Sequence, residues 1–145
     1  MLRAYKQTLI NPVVFEGIGL HSGKKSKVTI LPNEEANGIV FKRVDLQKNN
    51  TIVADYKNVS STTLSTTLMN QHGVKVSTVE HLLAALFIVG VDCAKIEIDS
   101  EEVPIMDGSA KEFISVLRNI KLKKLNKQIK YIKVLEKIEL IDGER

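Results

Sequence analysis

Residues 77–99 read STVEHLLAALFIVGVDCAKIEID, and the reading of the fold turns on them. Val79, Leu82, Leu83 and Leu86, followed by Ile88 or Val89, form one apolar stripe with helical spacing. Gly90 is a natural helix stop. Beyond it the period shortens to two: Ala94, Ile96 and Ile98 face one way, Lys95, Glu97 and Asp99 the other, as in a half-buried strand. A helix is thus followed at once by a strand.

Upstream, the first 76 residues read as strands. KSKVTIL (25–31) alternates with Val28 and Ile30 on one face. Asn37-Gly38 is a tight-turn signal before IVFKRV. STTLSTTLM (61–69) alternates Leu64 and Leu68 with polar neighbours and passes through NQHG into VKVST, which predicts a hairpin. Downstream, VPIMDGS is a loop, and a helix fits Ala110 to about Ile120, with Phe113, Ile114 and Leu117 on its apolar face and Ser109 as N-cap. YIKVL (131–135) and KIEL (137–140) read as two more strands. Asp142-Gly143 is a hairpin-turn signal with two residues after it, which predicts a chain cut just inside a second domain, the other reading being a frayed natural C-terminus.

The 145 residues are 43% hydrophobic and 26% charged, enough for one domain with a core. No apolar run reaches the roughly 18 residues of a membrane span, so no integral membrane contact is expected. The start carries no apolar h-region. The single cysteine, Cys93, fits a reducing compartment and reads as a small buried strand residue. The net charge is +4, but residues 118–137 hold eight Lys/Arg against one acid. Such a segment is a solvated linker or a surface for phosphates, nucleic acid or anionic lipid. Tyr131 is its one aromatic, too few for a base-stacking platform, so no nucleic acid is expected as partner.

Glu80 and His81 admit two readings. Ser77 and Glu80 form S-x-x-E, a capping box, and His81 sits at the polar edge of the stripe as an ordinary core-edge residue. Alternatively, an adjacent Glu-His pair offers a general base and a metal ligand. No H-E-x-x-H is present and His21, His72 and His81 are the only histidines, so further ligands must come from elsewhere. Asp107-Gly108 reads as a turn before a helix. His21, in a Gly-flanked loop, reads as a residue that holds the loop by hydrogen bonds, and His72 as a turn residue.

Four stretches together, GIGLHSGKK, STTLSTTL, STVEHLLAALFIVGVD and VPIMDGSA, resemble in order and spacing the motifs of the UDP-3-O-acyl-N-acetylglucosamine deacetylases, zinc amidases of lipid A biosynthesis in Gram-negative bacteria. The resemblance covers essentially the whole chain. It implies an α+β fold: a two-layer domain, its sheet mostly antiparallel, with two helices on one face and a small inserted β-sheet. This would be the first of two similar domains, the second truncated, with domain I at 1–125 and a linker plus the first strands of domain II at 126–145. It implies Glu80 as catalytic base and His81 as zinc ligand, the other ligands belonging to the missing C-terminal domain. Leu64 and Ser65 would lie on a strand lining the substrate side, with His21 and Asp107 near the site. The implied reaction is deacetylation of UDP-3-O-acyl-N-acetylglucosamine in the cytoplasm, with this chain alone inactive. A non-catalytic module binding nucleic acid through 118–137 is the alternative.

Overall fold

The computed structural model describes residues 3–143. Its frame is a five-stranded sheet in the order β2-β3-β9-β4-β5, built from Val13–Ile18, Lys25–Pro32, Ala94–Ile98, Ile39–Arg43 and Thr51–Val53. Every neighbouring pair is antiparallel except β4 and β9. These two are parallel because the chain leaves β4 and returns to β9 only after crossing over through helix α1 (Glu80–Val89). The alternation of 94–98 is realised: Ala94, Ile96 and Ile98 are buried. Ile96 stands opposite Ile30 on one side and Phe41 on the other, and Ile98 opposite Val28. The other face of the sheet carries the ion pairs Lys27–Glu16, Lys42–Glu97 and Lys95–Glu97.

Two helices cover the apolar face. Leu82, Ala85 and Leu86 of α1 and Phe113 and Leu117 of α2 (Lys111–Leu117) join the strand residues in one core. The helices also pack on each other. Phe113 meets Phe15 of β2 edge-on, with ring centroids 4.9 Å apart, a favoured aromatic geometry. Gly90 ends α1 as expected, at φ 93° with its N–H on the Leu86 and Phe87 carbonyls. The fold is therefore the expected two-layer α+β domain.

A three-stranded antiparallel sheet, β6-β7-β8 (Val59–Ser61, Thr67–Met69, Lys75–Val76), is inserted between β5 and α1. The β7-β8 hairpin turns through Asn70–Gly73, closed by Gly73 N–H on Asn70 O at 3.0 Å. STTLSTTLM, however, is not one strand. It breaks between β6 and β7, and Leu64 stands at φ 61° and 86% exposed, while Leu68 is buried. Leu64 and Ser65 therefore lie in a connecting turn, not on a strand. Asn37-Gly38 turns the chain into β4 but closes no hairpin, because β9 separates β3 from β4.

The C-terminal third departs most from expectation. Helix α2 stops at Leu117, with Arg118 as its cap, and Ala110 rather than Ser109 occupies the N-cap position. Ser109 still accepts the Lys111 N–H through its hydroxyl at 3.1 Å. The basic window holds a strand, β10 (Leu122–Gln128), paired antiparallel with β1 (Tyr5–Leu9). YIKVL and KIEL are not strands: residues 131–141 are exposed and in no ladder among the described residues. Alternation alone does not make a strand, because its N–H and C=O groups need a partner edge.

Candidate active site

The start of α1 brings Glu80 and His81 against the turn that carries Leu64 and Ser65. Ser77 and Glu80 form no capping box. Val79 occupies the N-cap position without a side-chain cap. The Ser77 hydroxyl instead donates to the Glu101 carbonyl at 3.2 Å, and Ser77 bridges Glu102 in parallel pairing. Glu80, released from the cap, turns its carboxylate to the turn before β7, where Oε2 accepts the Thr66 N–H at 3.0 Å. This brings the Leu64–Thr66 turn against the helix start. Ser65 and Thr66 are half-buried there.

His81 follows on the same turn of helix and is half-buried. Its Nδ1 is buried with no hydrogen-bond partner among the described residues. A buried ring nitrogen left unpaired carries a desolvation cost, and a metal ion or an acceptor from another segment would relieve it. Among the described residues no group of three or more His, Cys, Asp or Glu is placed to hold a metal ion. The chain thus offers one imidazole donor, and a site with three protein ligands needs two more.

Behind the pair lies a residue that sequence reasoning missed. Glu102 is 2% exposed. Its Oε1 accepts the His21 N–H at 3.0 Å and the Thr78 hydroxyl at 3.0 Å, and its Oε2 accepts the Ser22 N–H at 2.8 Å. Burial works to raise the Glu102 carboxyl pKa, but the donors from His21, Ser22 and Thr78 together outweigh it and hold the group below its ordinary value. The spacing of the GIGLHSG loop follows from this contact. A Cβ on Gly19 would sit 2.3 Å from Glu102 Oε2, and one on Gly17 would sit 2.9 Å from Pro104 Cβ. Gly23 takes φ +64°, where a side chain is strained. The one available signal for Glu102 was an acid directly before the apolar pair Val103-Pro104.

His21 holds its loop through its backbone; its side chain is exposed. Asp107 is exposed, and its Oδ1 accepts the Ser109 hydroxyl at 2.8 Å and N–H at 3.0 Å, a turn before α2. The Ser109 hydroxyl is the main cause that lowers the Asp107 pKa. Neither side chain is hydrogen-bonded to Glu80 or His81 among the described residues. His21 is tied to α1 through Glu102 and Thr78, and Asp107 to the glycine loop through Ile105 N–H on Ile18 O at 3.0 Å. A cleft of about 580 Å³ between Ser22, Arg43, Ser77 and Glu102 opens beside this cluster, but Glu80 and His81 do not line it. His72 is a turn residue, with its N–H on Asn70 Oδ1. Cys93 is buried with Ala36 and Leu125, just ahead of β9. In the basic segment, Lys123 pairs with Glu34 and Lys124 lies over the Tyr5 ring. No helix is long and apolar enough to cross a membrane among the described residues.

The family model described as LpxC, UDP-3-O-acyl N-acetylglycosamine deacetylase, matches residues 6–145. A UDP-3-O-acyl-N-acetylglucosamine deacetylase of Geotalea uraniireducens is 49% identical over 142 residues, covering 98% of this chain and 46% of the relative. The proteins of the same name from Geobacter sp. strain M21 and Saccharophagus degradans are 45% and 46% identical, each covering 97% of this chain and 46% of the relative. The chain spans about half the length of the curated relatives it matches. A family model matching nearly every residue, together with identities near one half, assigns the chain to the LpxC family of UDP-3-O-acyl N-acetylglycosamine deacetylases.

Proposed function

We propose that this chain supplies the base-bearing half of a zinc-dependent amidase. The enzyme would hydrolyse the acetamide of UDP-3-O-acyl-N-acetylglucosamine to a free amine and acetate, in the cytoplasm. The single observation that carries this reading is the pair at the start of α1: a carboxylate freed from capping beside an imidazole whose buried Nδ1 has no partner. The family relationship supplies the substrate. The remaining zinc ligands would come from a C-terminal domain, as would the rest of the substrate surface. The boundary expected at residue 125 falls inside β10, so domain I would instead run through β10 to Gln128, with residues from 129 as the link.

His81 would hold the zinc ion through its ring. Bound zinc lowers the pKa of a coordinated water and polarises a carbonyl. Glu80 takes the proton of the attacking water. Its place on the first turn of α1, with one oxygen held by the Thr66 N–H, fixes the direction of the carboxylate. Leu64 and Ser65, on the turn that carries this N–H, sit where the substrate would pass. His21 and Asp107 shape the flanking loops through their turn contacts.

The test uses a full-length protein containing this chain. Glu80→Gln keeps the shape and removes the base, so deacetylation falls by about 10²–10⁴-fold while zinc content is unchanged. His81→Ala lowers zinc content itself. Full activity in Glu80→Gln refutes the assignment.

A further inference from the structure

We propose that Glu102 is a positioning residue for the Glu80–His81 pair: its buried carboxylate clamps the His21-Ser22 loop to Thr78 and so fixes the direction in which α1 begins. The inference rests on the function proposed above and goes beyond it, since Glu102 touches neither substrate nor metal in that reading.

Thr78 stands at φ 56°, a left-handed conformation that is unfavourable for a β-branched residue. It is the hinge between Val76, the end of β8, and Glu80, the first residue of α1. A threonine relaxing to φ < 0 would swing the helix start and draw Glu80 off the Thr66 N–H. Something must over-determine this backbone. Two contacts do: the Thr78 hydroxyl donates to Glu102 Oε1, and the Ser77 backbone is laced to 101–103, with Ser77 N–H on Glu101 O at 2.8 Å and Val103 N–H on Ser77 O at 3.1 Å.

The clamp needs an acceptor on both oxygens. The groups that meet the Glu102 carboxylate donate: the His21 and Ser22 N–H groups and the Thr78 hydroxyl, with the Ser22 side chain beside them. Gln at this position would put an NH₂ donor against a donor, with almost no change of volume. Gly19 lets the carboxylate lie flat against the loop, where no other residue leaves room. Three distant stretches of sequence, 19–22, 77–78 and 101–103, therefore close on one carboxylate at the base of the catalytic turn.

The test compares Glu102→Gln, Thr78→Val and Glu80→Gln in full-length zinc-loaded protein. Thr78→Val keeps the strained β-branched shape and removes only the hydroxyl. For Glu102→Gln and Thr78→Val the expected result is kcat lowered about tenfold with KM within about twofold, and zinc affinity, read by chelator competition, weakened about tenfold. Amide hydrogen exchange at residues 80–82 is faster in both. A purely structural role lowers the melting temperature but leaves kcat and zinc affinity of the folded protein at wild-type values; that result in Thr78→Val overturns the proposal even if Glu102→Gln does not fold. Glu80→Gln separates the two readings. If it is inactive while Thr78→Val is normal, the positioning role fails and the function stands. If it is fully active, the function itself fails.

Discussion

Replacing Gly19 by Ala tests whether the glycine loop is shaped by Glu102. Gly19 does not sit in the left-handed region, so Ala is sterically allowed by its own backbone. On chain entropy alone, Gly19→Ala should stabilise the fold by about 0.4–1 kcal/mol. The structure predicts the opposite sign. The added Cβ would lie 2.3 Å from Glu102 Oε2, 2.8 Å from its Cδ and 2.4 Å from Ser22 Oγ. The backbone cannot retreat freely: Gly19 donates to Lys24 O at 2.9 Å and accepts from Gly23 N–H at 3.0 Å. Glu102 must therefore move about 1 Å and surrender one or two of its hydrogen bonds. Hydrogen bonds to a charged group contribute about 1.5–3 kcal/mol each, so after the entropy gain the net loss is about 1–5 kcal/mol. In equilibrium urea unfolding, with m near 2 kcal/mol/M, the midpoint drops by about 0.5–2.5 M. A companion measurement makes the cause specific. In a Glu102→Ala background only the Ser22 hydroxyl is left in the way, a side chain that can rotate, so Gly19→Ala costs clearly less than it does in the wild type. An unchanged or raised midpoint in the single variant, or equal losses in the two backgrounds, refutes the reasoning.

The same carboxylate sets a pH dependence. Its folded-state pKa lies below the ordinary 4.5, so on acidification the unfolded chain takes up this proton first. The contribution is complete above the unfolded value and is lost as pH falls through the lower folded value. Urea midpoints followed from pH 7 to pH 3 fall more steeply in the wild type than in Glu102→Gln, with the difference confined below about pH 5; parallel curves would sink the idea. Finally, the 145-residue chain by itself shows no deacetylation, because one imidazole does not make a three-ligand zinc site. Turnover by the purified chain that a chelator abolishes would contradict this.

The parts of the fold legible in the sequence were those where burial imposes a period. Helix α1 and β9 lie at the centre of the core, and their apolar spacing could not be written otherwise. Strand β10 was hidden for the converse reason. LKKLNKQ buries only Leu125, and its pairing with β1 rests on backbone groups that leave no mark on side-chain pattern. The tail misled in the other direction, with alternation in YIKVL and KIEL but no partner edge among the described residues. At the site, Glu80 and His81 were legible through the resemblance of their motif, while local capping rules pointed elsewhere. The capping box failed because Glu101 engages Ser77 from outside the helix. Glu102 was illegible for a plainer reason: its partner His21 is 81 positions away, and no local pattern encodes a contact at that range.

Backbone strain follows the same geography. Among the described residues, five that are not glycine adopt positive φ: Ala36, Asn49, Leu64, Thr78 and Met106. Three of them directly precede or closely flank the candidate residues: Leu64 before Ser65, Thr78 two before Glu80, and Met106 before Asp107. Each costs on the order of 1–2 kcal/mol against a relaxed backbone, and nothing in a simple sheet-and-helix core requires it. Each stands where the chain leaves a regular element or turns between two, so the strain re-aims the segment that follows. At Leu64 it folds the β6–β7 turn so that the Thr66 N–H meets Glu80. At Thr78 it starts α1 without a side-chain cap. At Met106 it leads into the Asp107–Ser109 turn ahead of α2. Contacts from outside each segment stabilise such conformations more than local propensity does, and for Thr78 that outside contact is Glu102. The candidate site is thus shaped less by the helix that carries Glu80 and His81 than by the turns that abut it.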